Sequence, residues 1–424
     1  RHGGKSIGEV IEKYIGKSGK KLFLVFAWLT LLLVVAVFCN LVAGTFSKTP
    51  EAASASGLFI LLAVLFGLSV YRWRMPLGVS TLAGIGLLAA CVYAGLQFPV
   101  HFDSSIWIFI LLVYIFIASV APVWILLQPR DFLNSFLLYA ILLGGIAGVF
   151  LTNPKITSPA FTSFSPDHKL LFPLLFVTVA CGAISGFHSL VASGTTSKQI
   201  NRESDVRPIG YGSMLIEGVL AILALITVVA VSGSAGSDIP PIDVFSGGLG
   251  KFMVNLSIPE RTGATFAALA ISAFCLTSLD TATRLNRLIF QEFFDGESRL
   301  DKLFKNRYVA TLVTVVLAGL MALSGTGGTL WHLFGSANQL LAAIALLAVA
   351  VWLNSMKRKN RFVVIPMVFM FLVTLSALVH LIHDQIRGGT KQILVLVPVA
   401  VLLFIVALLL VNQAWKILKP RPGA

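Results

Sequence analysis

The sequence predicts an all-α polytopic membrane protein with about twelve transmembrane helices, and three observations carry that prediction. Mean hydropathy is +0.90. Of the 424 residues 57% are apolar and only 12% charged, which leaves too little polar side chain to coat a soluble core of this size. Apolar runs recur almost from end to end, each near the ~20 residues that a helix needs to cross the hydrocarbon layer. Lysine and arginine, finally, gather in alternate loops between those runs.

In chain order the runs lie at 22–46, 57–71, 77–97, 106–127, 132–151, 170–195, 213–232, 262–283, 308–324, 330–354, 362–382 and 392–414. Cytoplasmic loops carry the basic excess of membrane proteins. With residues 1–21 placed inside and the runs alternating, 25 of the 32 basic residues fall on the inner side and 7 on the outer. One missed run would scramble every later loop, so the asymmetry supports the count as well as the direction, and it puts both ends of this chain in the cytoplasm. Residues 1–21 read as an amphipathic cytoplasmic connector, with Ile7, Val10, Ile11 and Tyr14 opposed to Glu9, Glu12 and Lys13. Residues 22–354 hold ten runs of a core. Residues 355–424 hold two further runs and a cytoplasmic tail.

The formal charge of +14 follows from the same placement, because anionic lipid attracts basic inner loops. Nucleic-acid binding would need a basic surface with interleaved aromatics, and the loops offer none. Trp73, Trp107, Trp331, Trp352 and Trp415 fall near run ends, as interfacial anchors do. Cys39, Cys91, Cys181 and Cys275 all lie inside runs without a CxxC pair, so small apolar fillers are expected rather than disulfides or a metal site. HExxH, GxSxG and phosphate-loop patterns are missing too, which argues against an enzyme. No cofactor is expected beyond a coupling proton or sodium ion.

Function must therefore be read where the apolar pattern breaks. The sixth run is apolar in its outer half. Gly182, Ser185, Gly186, His188, Ser189, Ser193, Gly194, Thr195 and Thr196 then crowd its centre and inner half. Glycines weaken a helix, and hydroxyls replace the freed backbone hydrogen bonds. An unwound segment there would expose amides and carbonyls to a substrate. Close helix packing is the competing reading. His188 is either a proton carrier or a hydrogen bond to a neighbouring helix.

The eighth run carries Thr277, Ser278, Asp280, Thr281 and Arg284 over two turns, with Thr277, Asp280, Thr281 and Arg284 on one face. A carboxylate at that depth faces a cavity or a partner, and hydroxyls beside it suit a hard cation. Ion coupling competes with a tether in which Asp280 pairs with Arg284. Between the fourth and fifth runs, Gln128, Pro129, Arg130 and Asp131 leave almost no loop; proline is expected to stop one helix and Asp131 to cap the next. Arg130 reads as an interfacial anchor or a gate. Residues 325–328 predict a tight outer turn, while Asn338 and Gln339 place two amides early in the tenth run, read as packing. His380 and His383 beside Asp384 read as polar residues at an outer end.

At these motifs the sequence resembles a known family. RHGGKSIGE at 1–9, LLQPRDFLNSFLLY at 126–139, CGAISGFHSLVASGTTSKQI at 181–200, SLDTATRLNRLIFQE at 278–292 and LWHLFGSANQLLA at 330–342 closely resemble the carbon starvation protein A (CstA) family, in the right order from residue 1 to about 350. The resemblance implies a multi-pass transporter of the prokaryotic cytoplasmic (inner) membrane that imports short peptides during carbon starvation, or pyruvate with protons. It also implies inverted repeats of five helices, a LeuT-like bundle, in which the sixth run would open the second repeat and Thr277, Ser278 and Thr281 would supply ion-site hydroxyls. Family members carry further helices before the RHGG motif, so this sequence is expected to be a fragment lacking about 100 residues, at ~20 per span plus loops.

The reading is therefore an ion-coupled secondary active transporter whose partners are a small-molecule substrate and the bilayer, with oligomeric state left open. Candidate substrate contacts are Gly182, Ser185, Gly186, His188, Ser189, Ser193, Thr195 and Thr196. Candidate ion-coupling residues are Thr277, Ser278, Asp280 and Thr281. Gate or structural roles fall to Gln128, Arg130, Asp131, Arg284, Asn338 and Gln339. A channel ranks second, without the pore loops or like-charge rings it would need.

Overall fold

The computed structural model describes residues 2–156, 159–161, 163–164, 171–182, 184–231, 239–324, 327–388 and 393–418, and among them every regular element is helical. The helices, in order, are α1 (Ile7–Ile15), α2 (Lys17–Lys48), α3 (Pro50–Gly67), α4 (Leu77–Gln97), α5 (Ser104–Val120), α6 (Leu127–Thr152), α7 (Leu171–Thr178) and α8 (Gly186–Gly194), then α9 (Val206–Val231), α10 (Pro241–Met253), α11 (Glu260–Phe293), α12 (Arg299–Lys305), α13 (Arg307–Leu323), α14 (Gly327–Ser355), α15 (Arg361–Gly388) and α16 (Ile393–Leu418). Among the described residues, nine helices are long and apolar enough to cross a membrane. Three of the twelve predicted runs depart from that description. Those at 106–127 and 308–324 form α5 and α13, of 17 residues each. The sixth run is broken into α7 and α8. The first two residues of the turn expected at 325–328 lie outside the described residues.

The helices divide into two compact units. One comprises Phe38–Thr162 and Arg207–Thr281; the other comprises Arg1–Val37, Ser163–Val206 and Ala282–Ala424. In the first, Phe59, Leu62 and Phe66 of α3 meet Leu88 of α4, Leu133, Leu137 and Ile141 of α6, Leu223 of α9, Leu249 and Met253 of α10, and Ala267, Ala270 and Ala273 of α11. Small residues set the spacing. A methyl on Gly148 of α6 would stand 2.7 Å from the Phe252 carbonyl oxygen of α10, so only glycine lets those backbones approach.

Two expectations need correction in this unit. Residues 241–253 form a helix where the sequence suggested an outer loop. Thirteen residues with Asp243, Lys251 and three glycines give no spanning run. Yet Pro241 stands at the first helical position, and Phe245, Leu249, Phe252 and Met253 recur at helical spacing. The helix break expected at Pro129 is absent too. α6 starts at Leu127, so Pro129 occupies its first turn, where a missing N–H leaves no intrahelical bond unmade. Asp131 thus lies within α6 and does not cap it.

In the second unit α14 is the hub, packed against α1, α7, α8, α15 and α16. The amphipathic stretch around residues 7–14 forms α1. Its cap Ser6 Oγ accepts the Glu9 N–H at 3.2 Å and donates to both Glu292 carboxylate oxygens at 3.0 and 3.1 Å. Lys20 Nζ donates to Glu12 Oε2 at 2.8 Å and lies 3.7 Å from Glu292 Oε1. Asn286 of α11 donates to the Trp28 carbonyl of α2 at 3.0 Å and accepts from Thr314 of α13 at 3.1 Å.

Candidate functional site

The break in the sixth run is a built feature of the second unit. α7 stops at Thr178, residues 180–182 make one 3-10 turn, and α8 starts at Gly186 with Ser185 as its cap. Interrupting a helix orphans carbonyls at one new end and N–H groups at the other. Neighbouring side chains on α14 satisfy both ends. Gln339 Nε2 donates to the Phe176 carbonyl at the end of α7. Asn338 Oδ1 accepts the Phe187 N–H at the start of α8 at 2.7 Å, and its Nδ2 donates to Cys181 Sγ at 3.1 Å and Ser185 Oγ at 3.4 Å. Trp331 Nε1 adds a bond to the Thr178 carbonyl at 3.3 Å. Gly186 seats α8 against α14, because a Cβ there would stand 2.7 Å from the Ala342 nitrogen. The two amides read as packing are thus the groups that hold the break.

The polar residues of the break divide between roles. Ser185 Oγ accepts the His188 N–H at 3.1 Å. Ser189 and Ser193 turn back to carbonyls of their own helix, Gly186 and Leu190, at 2.6 and 3.3 Å. Gly182 and the His188 side chain are exposed, and Thr195 and Thr196 lie half-buried where α8 ends.

The first unit holds the other cluster. Asp280 of α11 and Arg130 of α6 are each 0% exposed, and they form an ion pair through Arg130 Nη1 and Asp280 Oδ2. The Tyr114 hydroxyl of α5 donates to the same carboxylate oxygen at 2.6 Å and accepts from Arg130 Nη1 at 2.5 Å. One layer away, Asn134 Nδ2 donates to Thr277 Oγ1 at 2.7 Å. Arg130 and Asn134 are four apart on α6, while Asp280 and Thr277 are three apart on α11. Two helical faces therefore meet in two antiparallel tiers. Asp131 Oδ1 stands 4.0 Å from Arg130 Nη2, with its side chain 46% exposed. Gln128 accepts from the Tyr71 hydroxyl at 3.4 Å, and Ser278 and Thr281 are half-buried.

The anchor reading of Arg130 is overturned by its burial, since an interfacial arginine keeps its head in water. The tether reading left Asp280 to Arg284, half-buried one turn on; the carboxylate takes Arg130, from another helix, as its counter-ion. Tyr114 and Asn134 were not singled out in the sequence. Their signals were there: a lone phenol in the run 106–127, and an amide four residues after the arginine. Within apolar surroundings the two charges face each other, with the Tyr114 hydroxyl bonded to both. A buried pair of this kind has two electrostatic states, and adding a proton to the carboxylate removes its attraction for the guanidinium.

Comparison with known proteins follows this geometry. The profile of the family described as carbon starvation protein CstA matches residues 1–240 and 230–377. The chain belongs to the carbon starvation protein CstA family. Among CstA-family relatives, the peptide transporter CstA of Bacillus subtilis is 29% identical over 88% of this chain and 71% of its own length. The peptide transporter CstA of Escherichia coli is 30% identical over 89% of this chain and 65% of its own. The pyruvate/proton symporter BtsT of Escherichia coli is 29% identical over 89% and 66%. The chain thus spans about two thirds of the length of the curated relatives it matches. A crystal structure of a manganese transporter variant of Eremococcus coleocola superposes over 98% of this chain and 93% of that one, with a TM-score of 0.48 at 13% identity, too loose a likeness to carry an argument.

Proposed function

We propose that the chain forms the larger part of a proton-coupled secondary transporter of the prokaryotic cytoplasmic membrane, importing short peptides. The observation that carries this reading is the fully buried ion pair of Arg130 and Asp280, closed by Tyr114, inside an apolar helical unit. Ionised, Asp280 holds α5, α6 and α11 to one polar point; protonated, it lets go of Arg130. Coupling requires a group whose charge state biases one arrangement of helices over another. The Thr277 hydroxyl is engaged by Asn134, which favours a proton at Asp280 over a sodium ion in a set of Thr277, Ser278 and Thr281. Between α7 and α8 the exposed Gly182 offers backbone to a substrate, in line with discontinuous helices of other transporters. Within this reading the broken helix opens the second of two inverted five-helix repeats, and both ends of the chain face the cytoplasm.

Peptide as substrate draws on the relatives named peptide transporters. A second reading, pyruvate with protons, draws on the symporter of nearly equal identity. Uptake of labelled dipeptide against labelled pyruvate by the full-length protein in proteoliposomes, with and without a protonophore, separates them. Dipeptide accumulation that collapses with protonophore supports the first reading, and pyruvate accumulation alone supports the second. Accumulation that follows a sodium gradient and ignores the protonophore would refute proton coupling, and non-saturable flux would refute a transporter.

A further inference from the structure

A second buried cation, far from Arg130 in sequence, has no counter-ion among the described residues. Arg287 of α11 is 7% exposed, and its Nε is sealed from solvent without a hydrogen-bond partner. Among the described residues its guanidinium makes no hydrogen bond and no ion pair. The charges acting on it are Arg284, one turn earlier on α11, and Arg307 at the start of α13, both cations. Of the carboxylates in the neighbouring segment, Glu292 is engaged by Ser6 and Lys20, Asp295 lies 4.0 Å from Lys20, Asp301 is bonded to Ser298, and Glu297 is exposed on the surface. A buried guanidinium among like charges is costly unless an anion compensates it.

The surroundings say which anion fits. Tyr308, Leu312, Val316 and Leu320 recur every fourth residue along α13 and are all exposed, forming an apolar stripe that starts beside Arg307. The Trp28 indole Nε1 of α2 is another buried donor without a partner, and its ring lies 5.6 Å from that of Phe290, one turn after Arg287. Segment 284–307, with residues 1–21, is also one of the two most basic that the charge asymmetry assigns to the cytoplasmic side. Basic pockets between helices at that level take phosphate headgroups, whose acyl chains need an apolar face beside them.

We propose that Arg287, with Arg307, binds the headgroup phosphate of an anionic phospholipid whose chains lie along the exposed stripe of α13. Arg287 makes the desolvated charge-assisted bond and Arg307 supplies the rim charge. The site is independent of the Arg130 and Asp280 pair.

The test uses the full-length protein purified in detergent. Native mass spectrometry reads retained lipid, and thermal unfolding is followed with added phosphatidylglycerol, phosphatidylcholine or inorganic phosphate. Wild type should retain phosphatidylglycerol and be stabilised by it, and by neither of the other two. Arg287→Gln should weaken retention about tenfold, as loss of one charge-assisted bond does. Arg287→Lys should recover part of it. Since Arg287→Gln removes a buried group, Arg307→Gln, at an exposed position, provides a second measure and should lower retention with the fold intact. Equal stabilisation by phosphatidylcholine would overturn the proposal, as would stabilisation by free phosphate alone or undiminished retention in both glutamine variants.

Discussion

Replacing Asp280 by Asn keeps the shape of the side chain and removes its charge, leaving the buried Arg130 guanidinium with only the more distant Asp131 carboxylate, at 4.0 Å. Both side chains are fully buried, so solvent cannot screen the loss. Removing one partner from such a pair costs about 3–5 kcal/mol, on the order of a hundred- to several thousandfold in the folding equilibrium and about a fifth or more of a typical domain's 5–15 kcal/mol. The double variant Arg130→Met with Asp280→Leu removes both charges and should recover most of that loss. The assay is thermal unfolding of wild type, Arg130→Met, Asp280→Leu and the double variant in nanodiscs, together with uptake in proteoliposomes. A coupling energy of about 3 kcal/mol is expected. Proton-driven accumulation should vanish in every variant, and substrate exchange should persist in the recovered double variant. Additive single effects, or proton-driven accumulation that survives in the double variant, would refute the reasoning.

Other outcomes follow from the same structure. Asn338→Leu strips the acceptor from the Phe187 N–H, so amide exchange at the start of α8 should accelerate by the equivalent of about 1–3 kcal/mol, while exchange in α15 stays unchanged. Gly186→Ala forces a methyl against the α14 backbone and should destabilise by about 1–3 kcal/mol, whereas Gly218→Ala, where a Cβ meets open space, should be neutral or mildly stabilising in the same unfolding measurement. The hydrogen bonds of Ser298 to Asp301 hold that carboxyl below its ordinary range. Because the folded value is depressed, the cap of α12 is at full strength above the ordinary carboxylate pKa. It is lost as pH falls through the lower folded value, which exchange of the α12 amides between pH 5 and about 3 should register. Ser298→Ala should reduce that pH dependence, since the backbone N–H of residue 298 still donates to Asp301.

Much of this fold was legible because the bilayer imposes one strong rule: long apolar runs are helices. That rule is blind to helices which do not span. The thirteen residues of α10 were read as loop because their apolar spacing is short and interrupted by glycine. The start of α6 was misplaced because proline in a first turn looks like proline in a loop. The sixth run gave up its break through an excess of glycine and hydroxyl. Its sequence does not say that Asn338 and Gln339, some 150 residues on, receive the loose ends. For the ion pair, sequence supplied Asp280 as a buried carboxylate and Arg130 as a choice between two roles. The partnership between them is tertiary, set by how α6 and α11 lie together, and nothing local encodes it. Tyr114 was hidden by its surroundings, since one phenol among isoleucines and phenylalanines reads as another aromatic filler.

Asn338 and Gln339 are consecutive residues, about 100° apart around one helix. They grip the two halves of the broken run from adjacent flanks, one from the foot of α8 and the other from the end of α7. A joint tied this way can swivel but cannot lengthen: either half can tilt about its own amide, while pulling them apart must snap a bond. Motion of α8 relative to α7 is thereby restricted to pivoting about a fixed point on α14. Under the proposed transport function, the travel of that pivot, rather than the depth of any pocket, would set how wide a passage the broken helix opens.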